Sequence, residues 1–470
     1  MLEWGSVSKK WTIPKNFIID DPIFQLMLNK LPLLLLTGLL FLLPACELED
    51  IPNPNGPTLE ALTDGATLED LRLLAAGVES VQRNDIQFYY WTTSIIGREY
   101  YDLRGTDPRY TGELLGAQGA QLDNNGFLTT RTFAAAYRAV RHTYVLEEAV
   151  KNTAASLTGA ERAGFTGFAK FIRAYNLLLV ANHQFENGIR LDVSDPDNLG
   201  GFTGGYQESL TGIRGILDQA ISDLNGAGDA FAFALSPNFL TGIDAGPAGL
   251  AQVANAIAAR VAIYQNDKGA ARGYLDNSFL DLDGDLNAGA YYSFGSSGND
   301  LFNPIFNVPC NQFYVAQNDF VESAEDGDAR LADKLTDIST CGGDIGDEVA
   351  LDDLSGEFQV TIYDSNVSPI PIIRNAELIL LYAEANIGDD DDEAESALNI
   401  IRTAAGLEEV DLNGEAELEN ELLRQRRYEL FGEGHRWIDL RRFDRLDDIM
   451  LDRPGDIIHV QFPRPVTENE

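Results

Sequence analysis

The chain has 470 residues, 44% of them hydrophobic, which is enough to bury one large core or two poorly separated ones. Acidic residues outnumber basic residues 74 to 34, and the formal net charge is −40. A surface of this charge repels the phosphates of nucleic acids and of anionic lipids, so we expect no nucleic-acid partner. The histidines and cysteines show no metal-binding spacing, and we expect neither a metal site nor a cofactor.

The N-terminal part of the chain carries the features of an export signal. Residues 31–43 are apolar but too short to span a membrane comfortably, and Lys30 precedes them. Cys46 follows in the sequence LPAC, which resembles the lipobox where a bacterial lipoprotein is cut and acylated. We therefore predict that Cys46 carries a lipid, and that residues 1–45 are an upstream extension plus a signal peptide with its true start at Met27.

A short polar segment follows the predicted lipidation site. Residues 46–58 begin with acidic residues that resemble the tether directing such lipoproteins to the cell surface, and they end in the sequence IPNPNGPT. Proline and asparagine at this density predict an extended leash without helical structure. We expect a single domain over residues 59–470.

Apolar residues then recur at helical spacing along most of the chain. Asp64 and Thr67 are candidate caps for the first helix. Phe88 to Trp91 is an aromatic stretch that we predict to be loop more than helix, because Gly97 and further breakers follow it. The segments with helical periodicity are 59–81, 130–151, 161–182, 210–224, 249–277, 372–385, 393–406 and the first half of 417–443.

Several of these helices have the size and spacing of tetratricopeptide hairpins. In residues 249–277 small side chains allow close packing, and Gln265 to Asp267 supply a tight turn. Residues 376–406 form a second pair, and 130–151 and 161–182 give two more degenerate units. The predicted fold is therefore mainly α, with tetratricopeptide-like helical hairpins as a scaffold, a loop-rich ligand-binding face and little β structure.

The helical period disappears over residues 278–368, where glycine, asparagine, aspartate and aromatic residues are frequent. A mostly irregular insert of this length is usually functional, so we assign it to the ligand face. It contains Cys310 and Cys341, which could form one disulfide outside the cytoplasm.

Arginines concentrate near the C terminus, between Glu417 and Arg445. Arginine pairs bidentately with carboxylates and keeps its charge when buried, so one hypothesis is a structural clasp. The other hypothesis is a basic patch for an anionic ligand. We favour the clasp, because many partner acids lie within the same stretch. The arginines are Arg424, Arg426, Arg427, Arg436, Arg441, Arg442 and Arg445.

Two segments of the chain also resemble a known family. RRYELFGEGHRWIDLRRF, at 426–443, is similar to the C-terminal hallmark of the SusD/RagB family, surface lipoproteins that capture nutrients for TonB-dependent transporters. PIPIIRNAELILLYAEA, at 369–385, is similar to that family's second hallmark. Together with the lipoprotein signal, these matches lie in the family order across nearly the whole mature chain.

The resemblance implies a location and a mechanism. The protein would be lipid-anchored in the outer membrane through Cys46, facing outside, as a lid on a TonB-dependent transporter. It would bind an oligomeric nutrient and hand it over without breaking bonds, so we expect no enzymatic activity.

Candidate ligand residues follow from the shape of a sugar, which has an apolar ring face and a rim of hydroxyls. A site for such a ligand needs flat aromatic rings beside polar and charged side chains. In SusD-like proteins the ligand surface is built from loops in two parts of the chain, and the resemblance places them here. The candidates are Trp91, Tyr89, Tyr90, Arg98, Tyr100 and Tyr101 in the first part, and Tyr291, Tyr292 and Tyr314 in the second.

Three alternatives stay open at this point. The ligand could be a peptide, captured through backbone hydrogen bonds and tolerant pockets instead of ring stacking. The protein could be an enzyme of polymer breakdown, since paired carboxylates are uninformative where acids are abundant. It could also be a helical-repeat adaptor that binds only other proteins.

Overall fold

The computed structural model describes residues 63–468, apart from Asn299, Gln312 and Asp344. In this part of the chain, no helix combines the length and the apolar character that a membrane crossing requires. The predictions that lie outside the described residues are the extension and signal peptide over 1–45, the lipid at Cys46 and the tether over 46–58.

Helices dominate the described chain, and two of the longer ones begin with a reciprocal cap. Thr67 accepts a hydrogen bond from the backbone N–H of Asp70, whose carboxylate accepts one from the backbone N–H of Thr67. Thr158 and Glu161 repeat this arrangement. The helices are α1 (Leu68–Val81), α2 (Ile86–Ile96), α3 (Phe127–Asn152), α4 (Gly159–Gln184), α5 (Tyr206–Asn225), α6 (Pro247–Tyr264), α7 (Lys268–Leu275), α8 (Asn318–Glu322), α9 (Arg330–Lys334), α10 (Asn375–Asn386), α11 (Asp391–Ala404), α12 (Glu415–Glu429) and α13 (Arg436–Arg442).

Consecutive helices pack against one another along the chain. α3 contacts α4, α4 contacts α5, and α5 contacts α6, while α6 pairs with α7 and α10 with α11. Asn266 makes the turn between α6 and α7 with a φ of 58°, and the Asp267 side chain caps the backbone N–H of Ala270. The prediction of a mainly α fold built from helical hairpins, with little β structure, is confirmed.

The prediction of a loop at Phe88 to Trp91 is wrong, because these residues lie inside α2. All the breakers that suggested a loop come after Ile96, beginning with Gly97. Within the helix, the Thr92 hydroxyl donates to the backbone oxygen of Phe88. Nearly every side chain of α2 is buried, and a helix apolar on all sides leaves no periodic signal in the sequence.

The predicted core helix over 372–385 is present but begins later than expected. Residues up to Arg374 belong to a strand, and α10 starts at Asn375. α10 is buried on nearly all sides, as predicted, and packs on α11 and α12 in a separate apolar cluster.

Short antiparallel strands join the helices, and most of them lie in the segment 278–368. They are β1 (Tyr100–Asp102), β2 (Leu240–Thr241), β3 (Gly289–Tyr292), β4 (Tyr314–Ala316), β5 (Leu335–Asp337), β6 (Val349–Leu351), β7 (Leu354–Gly356), β8 (Phe358–Val360) and β9 (Ile370–Arg374). One sheet has the order β1-β4-β8-β5, a second has the order β2-β3-β9, and β6 pairs with β7. The first sheet connects the insert to the segment after α2, which positions the site described below.

A disulfide closes part of the insert. Cys310 and Cys341 are bonded, with their Cα atoms 5.3 Å apart, so the pairing that the sequence left open is made. The backbone N–H of Cys310 also donates to the Gln359 side chain in β8 at 2.6 Å. The bridge therefore ties two distant segments of the insert to the first sheet.

The arginine-rich stretch acts mainly as the predicted clasp. Arg426 donates to Asp439 at 2.7 Å, and Arg442 donates to Asp439 at 3.0 Å and to Glu384 in α10 at 2.7 Å. The side chains of these two arginines and two acids are nearly all buried. Buried arginines of this kind need their carboxylate partners, because an unpaired buried charge is strongly destabilising.

Candidate ligand-binding site

Most of the aromatic residues selected from the sequence lie in the interior. The Tyr89 hydroxyl accepts a hydrogen bond from Asn182 at 3.0 Å, and the Tyr90 hydroxyl donates to the backbone oxygen of Pro371 at 3.1 Å. Burial raises the pKa of both tyrosines above the usual range. Tyr292 is equally buried. In this structure these three rings fill the core between α2, α4 and β3.

Three further candidates are held by contacts inside the protein. Arg98 is 1% exposed and donates to the backbone oxygen of Leu115 at 2.8 Å. The Tyr101 hydroxyl is bonded to Asp452, and Tyr100 packs edge-on between Tyr314 and the Phe431 ring. Ligand contact by these residues stays a prediction, and the structure gives each of them a structural partner.

Trp91 differs from its neighbours because it is partly exposed. Its indole stacks on the Tyr314 ring, with centroids 5.6 Å apart and planes 24° from parallel. Phe88 and Tyr110 meet the indole edge-on at 5.5 and 6.0 Å. The structure thus brings together two candidates that lie more than two hundred residues apart in sequence.

Arg104 covers the two stacked rings. Its guanidinium lies 4.3 Å from the Tyr314 centroid and 5.4 Å from the Trp91 centroid. Asp102 fixes it through two hydrogen bonds of 2.9 and 2.7 Å. The register of β1 against β4 places Asp102 directly opposite Tyr314, so strand pairing brings the ion pair to the rings.

Two more arginines extend this arrangement along the surface. Arg109 lies 4.2 Å from the Phe127 centroid and is held by Asp107 through bonds of 2.9 and 2.7 Å. Arg131 lies 5.2 Å from the Phe88 centroid and is 55% exposed. We call this cluster the aromatic–arginine surface; it comprises Phe88, Trp91, Tyr110, Phe127, Tyr314, Arg104, Arg109 and Arg131.

Sequence reasoning did not select Phe88, Tyr110, Phe127 or the three arginines of the aromatic–arginine surface as ligand residues. The available signal was the repeated spacing of Asp102 with Arg104 and of Asp107 with Arg109. In both pairs the aspartate stands two residues before the arginine, and both of its carboxylate oxygens accept from the guanidinium.

Chemically, the aromatic–arginine surface offers what a neutral polyhydroxylated ligand needs. Of its rings, Trp91 and Phe127 are partly exposed and can pack against the apolar face of a sugar, while Phe88, Tyr110 and Tyr314 are buried. The guanidinium groups donate several hydrogen bonds in a fixed plane to hydroxyl oxygens. Asp102 and Asp107 use their oxygens to hold arginines and are not free as acids or bases.

Tyr291 lines a different cavity, of about 520 Å³, with a mostly polar wall. Its hydroxyl donates to the backbone oxygen of Asn287, and the cavity lining includes Asp333, Asp364 and Ser368. The structure therefore separates this candidate from Trp91 and Tyr314. Among the described residues, no group of three His, Cys, Asp or Glu side chains is arranged to hold a metal ion.

Glu99, between α2 and β1, is a buried acid beside this region. It is 1% exposed and accepts a hydrogen bond from the backbone N–H of Gly432 at 3.1 Å. Burial raises the pKa of its carboxyl from the ordinary 4.5 to about 7, although nearby Arg436 and Arg427 oppose this. The pKa of the Glu99 carboxyl is higher in the folded protein than in the unfolded chain. The contribution of Glu99 to stability is therefore fully present below pH 4.5 and is lost as the pH rises to about 7.

We expect Glu99→Gln to stabilise the protein at pH 8 and to change little at pH 4.5. A pKa raised to about 7 corresponds to roughly 3 kcal/mol, at about 1.4 kcal/mol per pH unit, and the amide removes this penalty while still accepting from Gly432. Urea unfolding at both pH values measures the difference. Exposed Glu69→Gln is the control, with a small effect at either pH. A variant less stable than wild type at pH 8 would contradict the assignment.

Comparison with known proteins agrees with this architecture. The sequence model of the SusD family matches residues 356–461. A SusD superfamily protein from Bacteroides vulgatus ATCC 8482 is 16% identical, with 86% of this chain and 96% of that chain covered and a TM-score of 0.66. Surface glycan-binding protein A from Bacteroides thetaiotaomicron is 14% identical, with 87% of this chain and 97% of that chain covered and a TM-score of 0.61. A laminarin-binding SusD-like protein is 15% identical, with 84% of this chain and 96% of that chain covered and a TM-score of 0.57.

A search of curated proteins finds no match to this sequence. At the identities given above, the structural matches establish a shared fold. The region matched by the family model includes β9, α10 and the arginine clasp, where both sequence hallmarks lie.

Proposed function

The chain is a member of the SusD/RagB family, and from this premise we propose that it is a cell-surface lipoprotein that binds oligosaccharides. It then delivers them to a TonB-dependent outer-membrane transporter. Binding and transfer, without bond breaking, is the whole of its chemistry. Cys46 carries the lipid anchor, and residues 46–58 tether the domain to the outer face of the membrane.

The observation that carries this proposal is the partly exposed Trp91 indole stacked on Tyr314 beneath Arg104. An indole that reaches the surface within a rigid aromatic layer is a preformed platform for a sugar ring. The bidentate Asp102 contact holds Arg104 in place, so its remaining N–H donors are oriented before the ligand arrives. We assign the aromatic–arginine surface as the glycan-binding site.

Similar proteins support the ligand class. Two of the structures that share this fold are a surface glycan-binding protein and a laminarin-binding protein. Peptide capture relies on backbone hydrogen bonding at a strand edge or in a groove. The aromatic–arginine surface consists of side-chain rings and guanidinium groups, which favours a glycan over a peptide.

Replacing Trp91 with alanine tests the assignment. We expect the affinity for a bound oligosaccharide to fall at least about tenfold, because truncating a central aromatic anchor commonly costs about 2 kcal/mol or more. The measurement is calorimetric titration of the protein from residue 47 onward with laminarin, starch and xylan oligosaccharides. Trp91 is part of a packed layer, so circular dichroism must confirm that the variant is folded.

Phe202→Ala is the matched control, because Phe202 is also a partly exposed ring covered by arginines, Arg190 and Arg464, outside the proposed site. It should leave the affinity unchanged. Equal affinity in wild type and Trp91→Ala would contradict the assignment. Binding of peptides alone would favour the peptide alternative, and steady release of shorter sugars would make the protein an enzyme.

A further inference from the structure

A second cavity, of about 400 Å³, lies at the C-terminal end of the described chain. Four arginines from three segments converge on it: Arg424 and Arg427 from α12, Arg436 from α13, and Arg445 from the turn that follows α13. Leu423, Leu440 and Tyr428 also line it, together with the polar side chains of Ser323, Asn420 and Asp448. We call this the arginine pocket, and it is distinct from the aromatic–arginine surface.

Acidic side chains pair with three of the four arginines of the arginine pocket. Arg427 pairs with Asp319 at 2.8 Å, and Arg445 pairs with Asp448 at 2.6 Å. Arg424 lies 3.7 Å from Glu421. Glu421 also accepts from the buried Arg402 at 2.5 Å, and Arg402 has a second carboxylate partner in Glu325 at 2.7 Å.

Arg436 is the member of the pocket that makes no close ion pair among the described residues. Its Nε donates to the backbone oxygen of Gly97 at 3.2 Å, and the acids that act on its charge, Glu99 and Asp319, lie beyond ion-pair distance. Burial, followed by the proximity of Arg427, lowers the pKa of its guanidinium to about 10. A positive charge held this way is stabilised by any anion that reaches it.

Four guanidinium groups line this one cavity in a chain whose formal net charge is −40. At physiological ionic strength, charges farther away than about 8 Å are largely screened. The charges that an entering ligand meets are therefore the four guanidinium groups and their few partners.

The size and lining of the cavity define the class of ligand. A volume of about 400 Å³ admits a molecule of the size of one or two sugar rings. Leu423 and Leu440 can contact an apolar ring face, while the guanidinium groups match the planar geometry of a carboxylate or the oxygens of a sulfate. We propose that the arginine pocket is a second binding site, for a sugar-sized ligand carrying a carboxylate or sulfate group.

The test uses sodium glucuronate, glucose 6-sulfate and glucose as probes, titrated calorimetrically into the purified protein at about 150 mM salt. We expect saturable binding of the two anionic sugars and none of glucose. Inorganic sulfate is titrated as a further probe, because it shows whether an oxyanion without a sugar ring is sufficient for binding. Binding of inorganic sulfate alone, without either anionic sugar, would overturn the proposal.

The double variant Arg424→Gln, Arg445→Gln removes two rim charges whose side chains are 49% and 37% exposed, so it should remain folded. We expect it to weaken glucuronate binding at least tenfold. The control Arg138→Gln removes an exposed charge outside the pocket and should leave binding unchanged. Equal weakening by the control, or none in the double variant, would overturn the proposal.

The two proposed sites can be tested separately. Trp91→Ala should not change glucuronate binding, because the arginine pocket shares no residue with the aromatic–arginine surface. Loss of neutral oligosaccharide binding with retained glucuronate binding would therefore support both assignments. A glucuronate affinity that depended on Trp91 instead of the pocket arginines would overturn the second site and leave the first.

Discussion

Replacing Arg374 with glutamine is expected to lower the free energy of unfolding by about 3–5 kcal/mol, the usual effect of breaking a buried ion pair. Arg374, at the end of β9, donates to the Glu429 carboxylate and backbone oxygen, each at 2.7 Å, and to Glu433 at 2.7 Å. All three side chains are largely buried. Without the guanidinium, two carboxylates would remain in the interior with too few partners.

The same contact predicts a pH dependence. Burial alone would raise the pKa of Glu429, but Arg374, Lys334 and Arg330 lower it to about 2. Because the folded pKa lies below the unfolded one, this stabilisation is present above pH 4.5 and is lost as the pH falls toward 2. The difference between wild type and Arg374→Gln should therefore be largest at neutral pH and should shrink below pH 4.5.

Urea unfolding followed by circular dichroism at pH 7 and pH 4 measures both effects. The control is Arg214→Gln, which breaks a pair with Asp267 that is 30% and 45% exposed and should lose less than about 1 kcal/mol. A loss in Arg374→Gln no larger than in the control would contradict the structural role of this arginine.

Replacing Trp437 with alanine is the second large effect that we expect, again about 3–5 kcal/mol. The indole is fully buried, and its Nε1 donates to the backbone oxygen of His459 at 2.7 Å. Arg441 lies 4.7 Å from the centroid of the ring, and Phe462 packs edge-on at 6.1 Å. Truncation would open a cavity and leave the carbonyl of His459 without its donor.

The volume and hydrogen-bond contributions of Trp437 can be separated with Trp437→Phe. This variant keeps a ring in the site but loses the N–H donor, so it should cost clearly less than the alanine variant. Urea unfolding measures both. If the alanine variant were as stable as wild type, Trp437 would not anchor the C-terminal segment against α13.

Much of the helical scaffold was predictable because its signals are local. Thr67 and Thr158 mark the starts of their helices, because each forms a reciprocal cap with an acid three residues later. The pair α6 and α7 follows from small residues and the turn at Gln265 to Asp267. Such features depend on neighbours within one or two helical turns, which a sequence displays directly.

The candidate site was only partly predictable, because burial of a ring depends on distant packing. Tyr89, Tyr90 and Trp91 are consecutive, yet only Trp91 reaches the surface. One residue of an α-helix turns the side chain by about 100°, and the neighbours that cover each direction come from elsewhere in the chain. Composition alone could not distinguish the partly exposed Trp91 from the buried Tyr89 and Tyr90.

The partners of Trp91 were hidden for a related reason. Tyr314 reaches the indole because β4 pairs with β1, and the register sets Asp102 opposite Tyr314. These strands have three residues each and are separated by more than two hundred residues. Strands this short carry no alternating pattern, so neither the pairing nor the position of Arg104 could be read from the sequence.

Fluorescence quenching of Trp91 tests the central claim most directly. From residue 47 onward the chain contains two tryptophans, and Trp437 is fully buried, so acrylamide quenching reports mainly on Trp91. A bound oligosaccharide, with binding established independently by calorimetry, is predicted to shield Trp91 and reduce the quenching. Undiminished quenching at saturating oligosaccharide would show that the ligand binds elsewhere and would contradict the account.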